Sequence, residues 1–162
     1  MNQSYRFGAP SIAAAWEGVL VRDLLSQEVE DGSATLLVVD DEPALRRLLS
    51  RVFEREGYRV LEAPSGEAAE LVWNDCAGGV SVLVTDIVMP GGMDGLELAH
   101  RLRLERPDLP VLFTSGYCEG LMGARLAAHS QDRLLAKPFH PREALRKVRG
   151  LLRRQGAHCV AG

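Results

Sequence analysis

Four short apolar segments of the chain each lead into side chains that are capable of chemistry. Asp40 and Asp41 follow the first of these segments, and Asp86 lies at the end of another. Ser115 and Lys137 come directly after two further apolar segments. No cysteine or histidine stands at the end of any of the four, so a carboxylate is the nucleophile best placed there. If these ends meet, one pocket contains three carboxylates, a hydroxyl and an ammonium group.

Such a pocket would suit phosphoryl transfer. Carboxylates at close range repel one another, so they either acquire raised pKa values or bind a cation. Hard oxygen ligands favour Mg²⁺, which bridges to phosphate oxygens. A lysine ammonium and a small hydroxyl would each bind a phosphoryl oxygen. An aspartate can form an acyl phosphate while metal and lysine stabilise the transferring charge.

Bringing these side chains together requires a sheet whose strand ends meet. From Thr35 onward, short apolar runs alternate with helical patterns. This alternation predicts an α/β fold, a doubly wound five-stranded parallel sheet with helices on both faces. Ligands of such sheets bind outside the carboxyl ends of the strands. The predicted strands cover residues 36–39, 58–61, 80–84, 110–113 and 134–136, and the five helices begin near residues 43, 65, 96, 121 and 141.

Four segments resemble the receiver domain of two-component response regulators. They are LLVVDDEPALRRLL, VLVTDIVMPGGMDGLELA, LPVLFTSGY and LLAKPF, and the resemblance covers residues 35–153 in order. The intervals are also those of the family, with 45 positions from Asp41 to Asp86 and 51 from Asp86 to Lys137. The spelling of the glycine-rich loop, with FTSGY, is similar to that in the terminal receivers of hybrid histidine kinases. The resemblance implies a flavodoxin-like sheet of order 2-1-3-4-5 and phosphorylation by a histidine kinase.

The resemblance also implies roles for the acidic residues. Asp86 would be the phosphoacceptor and, with Asp41 and the backbone carbonyl of Val88, a ligand of Mg²⁺. Asp40 would bind the same ion through a water molecule. We further hypothesise that the bulky side chains of Val88 and Tyr117 shield the acyl phosphate from water.

A second group of residues would sense and bind the phosphoryl group. By resemblance, Ser115 is the switch hydroxyl and Lys137 is the phosphate-binding lysine, with a cis peptide bond to Pro138. Leu134 stands where many receivers have an aromatic switch residue. Tyr117 could therefore take over part of that role.

Composition limits the other possibilities. The chain has 162 residues, of which 46% are hydrophobic and 25% charged, as in an ordinary soluble domain. It has no apolar run of the roughly 18 residues that a membrane span needs, and no recognisable signal peptide. Three cysteines without metal-ligand spacing favour a reducing cytoplasm. A net charge of -3 does not favour nucleic acid as a direct partner.

The chain divides into three predicted parts. Residues 1–34 form an amphipathic helical extension, residues 35–153 the receiver, and residues 154–162 a flexible tail. The tail is too short for a DNA-binding module, so we expect a single-domain regulator. Its partners would be a sensor histidine kinase or a histidine phosphotransfer protein, reached through phosphorylation-dependent contacts. A homodimer formed through residues 9–30 is a further possibility.

Three alternatives remain at the sequence level. The chain could be the detached receiver of a hybrid histidine kinase, or a pseudo-receiver that binds partners without phosphorylation. It could also be a Mg²⁺-dependent aspartyl phosphatase, although that class has a second aspartate two residues after its nucleophile. Here Glu42 and Pro43 follow the acidic pair. We therefore expect no enzymatic activity beyond self-phosphorylation and autodephosphorylation.

Overall fold

The computed structural model describes residues 34–76, 79–116 and 133–158. These residues contain five strands and four helices. In chain order they are β1 (Thr35–Val39), α1 (Pro43–Arg55), β2 (Arg59–Ala63), α2 (Gly66–Asp75), β3 (Val82–Asp86), α3 (Gly95–Glu105), β4 (Val111–Ser115), β5 (Arg133–Ala136) and α4 (Pro141–His158).

The strands form one parallel sheet in the order β2-β1-β3-β4-β5, which confirms the predicted fold class and strand order. The chain goes from β1 outward to β2 and then returns past β1 to β3. The strand order therefore reverses between β1 and β3, and such a switch point leaves a crevice at the carboxyl ends. Val39 pairs with Thr85 across this junction, so Asp40 and Asp86, one residue further on, lie beside each other.

The central strands are apolar because helices cover both faces of the sheet. Alternate β1 residues enter different cores, as the two-residue period of a strand requires. Leu37 and Val39 pack in a core with Trp73 of α2, whereas Leu36 and Val38 pack in a core with Phe53 of α1. The sheet is thus held from both sides, and its carboxyl edge is left for the polar residues.

Two strands extend beyond their apolar segments. The apolar segments end at Val84 and Phe113, and the strands continue through the polar residues to Asp86 and Ser115. Strand pairing uses backbone N–H and C=O groups, so polar side chains at the strand ends do not stop it. As a result, Asp86 and Ser115 are fixed by the sheet itself.

The last helix is longer than predicted. The flexible tail was expected from Arg154, but α4 continues to His158, so that boundary is corrected. The prediction followed the apolar stripe, which ends at Leu152, whereas arginine and glutamine continue a helix well without packing. The predicted N-terminal helix and the helix expected over 121–128 lie outside the described residues. Among the residues that are described, no helix is long and apolar enough to cross a membrane.

Candidate functional site

Three carboxylates meet where β1 and β3 end. Oxygen atoms of Asp40, Asp41 and Asp86 all lie within 4.8 Å of one another. Asp40 is 1% exposed and Asp86 7% exposed, whereas Asp41 is open to solvent. The structure therefore brings together the acidic residues predicted from the sequence, and one of them faces incoming ligands.

Lys137 joins the two buried carboxylates. Its Nζ donates hydrogen bonds to Asp86 Oδ2 at 2.5 Å and to Asp40 Oδ2 at 3.0 Å. The peptide bond from Lys137 to Pro138 is cis, as the family resemblance implied. The lysine that directly follows β5 thus reaches past the end of β4 to the switch point.

The pKa values of two of these groups shift for identifiable reasons. Burial raises the pKa of Asp40 above its usual value, against the opposing effects of a backbone hydrogen bond from Glu42 and of Lys137. Burial also disfavours the Lys137 ammonium, but its hydrogen bonds and charge pairing with Asp86 and Asp40 outweigh that, so its pKa is raised. Lys137 therefore remains charged at neutral pH.

Backbone amides hold the remaining oxygens of both carboxylates. Glu42 N–H donates to Asp40 Oδ1 at 2.9 Å, and Val88 N–H donates to Asp86 Oδ1 at 3.2 Å. Each buried aspartate therefore receives one amide hydrogen bond and one bond from Lys137. The Val88 amide and the Lys137 ammonium together fix the orientation of the Asp86 carboxylate.

The hydroxyl residues of β4 lie next to this group. Thr114 pairs with Asp86, Ser115 pairs with Ala136, and both hydroxyl residues are buried. The Ser115 carbonyl also accepts the Lys137 backbone N–H at 2.7 Å. Ser115 thus pairs with the last residue of β5, directly before Lys137, and its role as the switch hydroxyl stays a prediction.

The remaining residues singled out from the sequence are Val88, Tyr117 and Leu134. Val88 is 60% exposed, and its N–H contacts Asp86, but the metal-binding role of its carbonyl stays a prediction. Tyr117 lies outside the described residues. Leu134 is partly buried against the core that contains Trp73.

Sequence reasoning missed Arg46. Its Nη1 donates to the Asp40 carbonyl at 2.6 Å, and its Nε to Glu62 Oε2 at 3.2 Å. Arg46 lies on α1, so it ties this helix to the end of β1 and to β2. The available signal was a basic residue in the first turns of a helix that follows an acidic pair, but surface arginines are too common for that signal to be decisive.

Two further residues, Gly95 and Glu67, help to position the loop between β3 and α3. Gly95 lies so close to the Asp86 carbonyl oxygen that a Cβ would collide with it. Glu67 of α2 accepts the Met93 N–H at 3.0 Å. A hydrogen bond from its own backbone amide, one from the Ser65 hydroxyl and those from the loop amides of Met93 and Gly92 lower the pKa of Glu67.

The donor set is suitable for a hard divalent cation. It consists of carboxylate oxygens, one of them on an exposed residue, and it contains no described cysteine or histidine. Mg²⁺ prefers such ligands and retains several waters, which an open site allows. The residues present therefore fit the ion that the sequence implies.

A family model for the response regulator receiver domain matches residues 36–149. The chain belongs to this family. Receiver domains are the signalling modules of two-component systems, and the sheet order and acidic pocket described above accord with that membership.

Individual relatives agree with this assignment. The receiver is 39% identical over 124 residues to the sensor kinase CckA of Brucella abortus, covering 76% of this chain and 13% of CckA. It is 34% identical over 118 residues to the receiver protein CpdR of the same organism, covering 72% of this chain and 95% of CpdR. The chain spans 49% of the response regulator GtcR of Aneurinibacillus migulanus. It thus spans less than half of some relatives and nearly all of another.

Solved structures include the same kind of domain. The receiver domain of the hybrid histidine kinase CckA superposes with a TM-score of 0.62 at 31% identity, covering 74% of this chain and 99% of that one. The response regulator TrrA of Thermotoga maritima, solved with Mg²⁺ and BeF, has a TM-score of 0.62 at 33% identity and the same coverage.

Proposed function

We propose that this receiver accepts a phosphoryl group on Asp86 from a histidine kinase or a histidine phosphotransfer protein. The observation that best supports the proposal is the pairing of the Lys137 ammonium with both Asp86 and Asp40. A partly buried lysine in that position holds a positive charge where phosphoryl oxygens would arrive. In this role the domain is a phosphoacceptor and signalling element rather than a turnover enzyme.

The transfer is a single displacement at phosphorus. A carboxylate oxygen of Asp86 attacks, the new O–P bond forms, and the P–N bond to the donor imidazole breaks. The electron pair of that bond stays with the imidazole nitrogen, which becomes neutral or is protonated by solvent. Lys137 then exchanges part of its pairing with Asp86 for a phosphoryl oxygen.

Asp40, Asp41 and Asp86 would hold Mg²⁺. When bound, the ion neutralises charge on the phosphoryl oxygens. Asp41 is exposed and needs no rearrangement of the core to reach a cation. Asp40 is buried and hydrogen-bonded to Lys137, which fits a contact made through water. The Val88 carbonyl is the third proposed direct ligand, after Asp41 and Asp86.

The signal would arise from Ser115 and its surroundings. A new phosphoryl charge on Asp86 attracts the Ser115 hydroxyl, and the segment that follows β4 repacks as the hydroxyl moves. Val88 and Tyr117 are proposed to limit access of water to the acyl phosphate. A phosphoryl half-life in Tyr117→Ala that is unchanged or longer than in the wild type would refute that part.

The donor must dock beside Asp86, and a groove there is suitable. It has a volume of about 350 Å³ and lies between the start of α1 and the loop after β5. Leu48 is 46% exposed on its α1 side, and Lys137 lines both the groove and the site. A phosphohistidine-bearing helical protein packed on this apolar surface could present its imidazole to Asp86. The lining residues are Glu42, Ala44, Leu45, Leu48, Lys137, Pro138 and Phe139.

Intact-mass measurement after incubation with Mg²⁺ and acetyl phosphate tests the proposal. We expect one phosphoryl adduct in the wild type and none in Asp86→Asn. Asp94→Asn is the matched control, because Asp94 caps α3 through Glu97 N–H and lies outside the acidic trio. An adduct that persists in Asp86→Asn would overturn the assignment, and sustained turnover of a phosphate ester would favour the phosphatase alternative.

Other aspects of the signalling role remain predictions. These are the cytoplasmic location, the absence of direct nucleic-acid contact and a homodimer formed through residues 9–30.

A further inference from the structure

The outward face of α4 carries a row of arginines that the phosphoacceptor site does not use. Arg142, Arg146, Arg149 and Arg153 are separated by four, three and four residues. Residues at such intervals lie on one side of an α-helix. At a rise of 1.5 Å per residue, the row extends for roughly 16 Å along the helix, or about three turns.

This row borders a groove with the end of α1, which we call the arginine groove. It has a volume of about 540 Å³ and is lined by Glu56, Arg142, Leu145, Arg146, Arg149, Gly150 and Arg153. None of these residues belongs to the acidic group of Asp40, Asp41 and Asp86, or to the groove beside Lys137 where the phosphoryl donor is proposed to dock. The arginine groove is therefore a separate surface feature.

Positive charge predominates in the arginine groove. Glu56 is the single acidic residue among its described lining residues, and its Oε2 lies 2.5 Å from Arg149 Nη2. Glu143 contacts Arg146 at 4.0 Å, but both side chains remain accessible, and the Arg146 side chain is 79% exposed. Exposed ion pairs of this kind are weak and readily exchange partners. An incoming carboxylate could therefore displace them.

Gly150 lines the arginine groove between the arginines. It lies exposed within α4, and a Cβ added there would meet no atom within 4 Å. Packing therefore does not require glycine, although glycine is unfavourable inside a helix compared with alanine. A glycine at this position keeps the groove open between the arginines.

The charges favour an acidic protein segment over nucleic acid as the occupant. Residues 131–162 carry eight basic and two acidic side chains, but the whole chain has a net charge of -3 and a pI near 5.8. An overall negative protein repels a long polyanion at a distance, whereas a short basic groove attracts a local acidic stretch. The arginine row of about three helical turns matches a short helix that carries acidic side chains on one face.

We propose that the arginine groove binds an acidic helical segment of another protein, with carboxylates spaced to match the arginine row. The interaction does not require a phosphoryl group on Asp86, so its failure would leave the proposed function intact. It would give the receiver a constitutive contact besides the contacts that phosphorylation controls.

Fluorescence anisotropy at low salt tests the proposal. The probe is a labelled helical peptide whose glutamates repeat at intervals of four, three and four residues, compared with the same peptide carrying glutamines. We expect Arg142→Gln and Arg146→Gln each to weaken binding of the glutamate peptide by roughly two- to fivefold. Arg154→Gln is the matched control, because Arg154 lies on the same helix and does not line the groove. It should leave binding unchanged.

Gly150→Leu separates binding from folding. The leucine should fill the groove and weaken peptide binding, while the denaturation midpoint stays the same or rises because leucine favours the helix. Equal binding of the two peptides, or equal losses in Arg154→Gln and Arg146→Gln, would overturn the proposal. Tighter binding of single-stranded DNA than of the glutamate peptide would also overturn it, in favour of nucleic acid.

Discussion

At the residue scale, a small set of hydrogen-bond donors satisfies the charges of the two buried aspartates. Lys137 contacts both buried aspartates, and one backbone amide supplies the other hydrogen bond to each. Burying a charge without such partners would cost on the order of several kcal/mol, because the ion would lose its solvation and gain no hydrogen bonds in exchange. The same pairing leaves Asp41 exposed as a carboxylate that can approach a cation.

Gly95 is predicted to be indispensable for a steric reason. Alanine at this position would place its Cβ against the Asp86 carbonyl oxygen, so the start of α3 or the end of β3 must move. We expect Gly95→Ala to lower the free energy of unfolding by about 1–3 kcal/mol, measured by urea denaturation.

Gly150→Ala is the control for this prediction. Its Cβ would enter open space within a helix, so we expect stabilisation by up to about 1 kcal/mol. Equal stability of Gly95→Ala and wild type would show that the Asp86 backbone tolerates displacement.

At the element scale, the loop between β3 and α3 is held by its neighbour α2. Glu67 accepts the Met93 amide, and the Met93 side chain packs against Gly66, where a Cβ would lie 2.8 Å from it. Two glycines give this loop conformational freedom, and Gly91 has a φ of 131°. The contacts with α2 therefore limit a loop that would otherwise be more mobile.

Removing the Glu67 carboxylate should loosen this loop. We expect Glu67→Ala to speed hydrogen exchange at the Met93 amide, whereas Glu67→Gln, which keeps an acceptor oxygen, should retain part of the protection. The experiment needs neither metal nor phosphoryl donor. Glu54→Ala, an exposed glutamate on α1, serves as the control.

The same contact predicts a pH dependence. The pKa of Glu67 is lowered in the folded protein. Its contribution is therefore complete above the unfolded pKa and is lost as pH falls through the lower, folded value. Met93 protection in the wild type should decline over that acidic range, and protection in Glu67→Gln should not change there for this reason. An identical acid response in both proteins would contradict the prediction.

At the scale of the whole molecule, stability rests on two cores separated by one sheet. Phe53 of α1 and Trp73 of α2 are fully buried on opposite sides. The indole Nε1 of Trp73 also donates to Glu105 Oε2 at 2.8 Å, which links α2 to α3. The site lies at the carboxyl edge of this sheet, so its geometry depends on the packing of both cores.

Loss of the Phe53 ring should therefore destabilise the whole domain. We expect Phe53→Ala to lower the free energy of unfolding by about 3–5 kcal/mol. Leu71→Ala is the control, because Leu71 is 67% exposed and its loss should cost less than about 0.5 kcal/mol. Similar denaturation midpoints for the two variants would show that the α1 core does not limit stability.

Much of the fold was predictable because its signals are local. Apolar runs and helical periodicity identified the described strands and helices, and polar residues after the runs identified Asp40, Asp41, Asp86, Ser115 and Lys137. Strand ends and the end of α4 were less accurate, because backbone pairing and helix continuation do not require apolar side chains. Arg46, Glu67 and Gly95 escaped notice, since their roles depend on partners distant in the sequence.

The sequence by itself determined which side chains stand at the strand ends and therefore the chemical character of the pocket. Only the tertiary structure decided how they are paired. Lys137 lies 97 residues from Asp40 and 51 from Asp86, and no local pattern specifies that its ammonium contacts both. Strand order and register set that geometry, because they bring the end of β5 and the switch point between β1 and β3 to the same carboxyl edge of the sheet. The same holds for the arginine groove, whose residues are periodic in sequence but enclose a groove only once α4 packs beside α1.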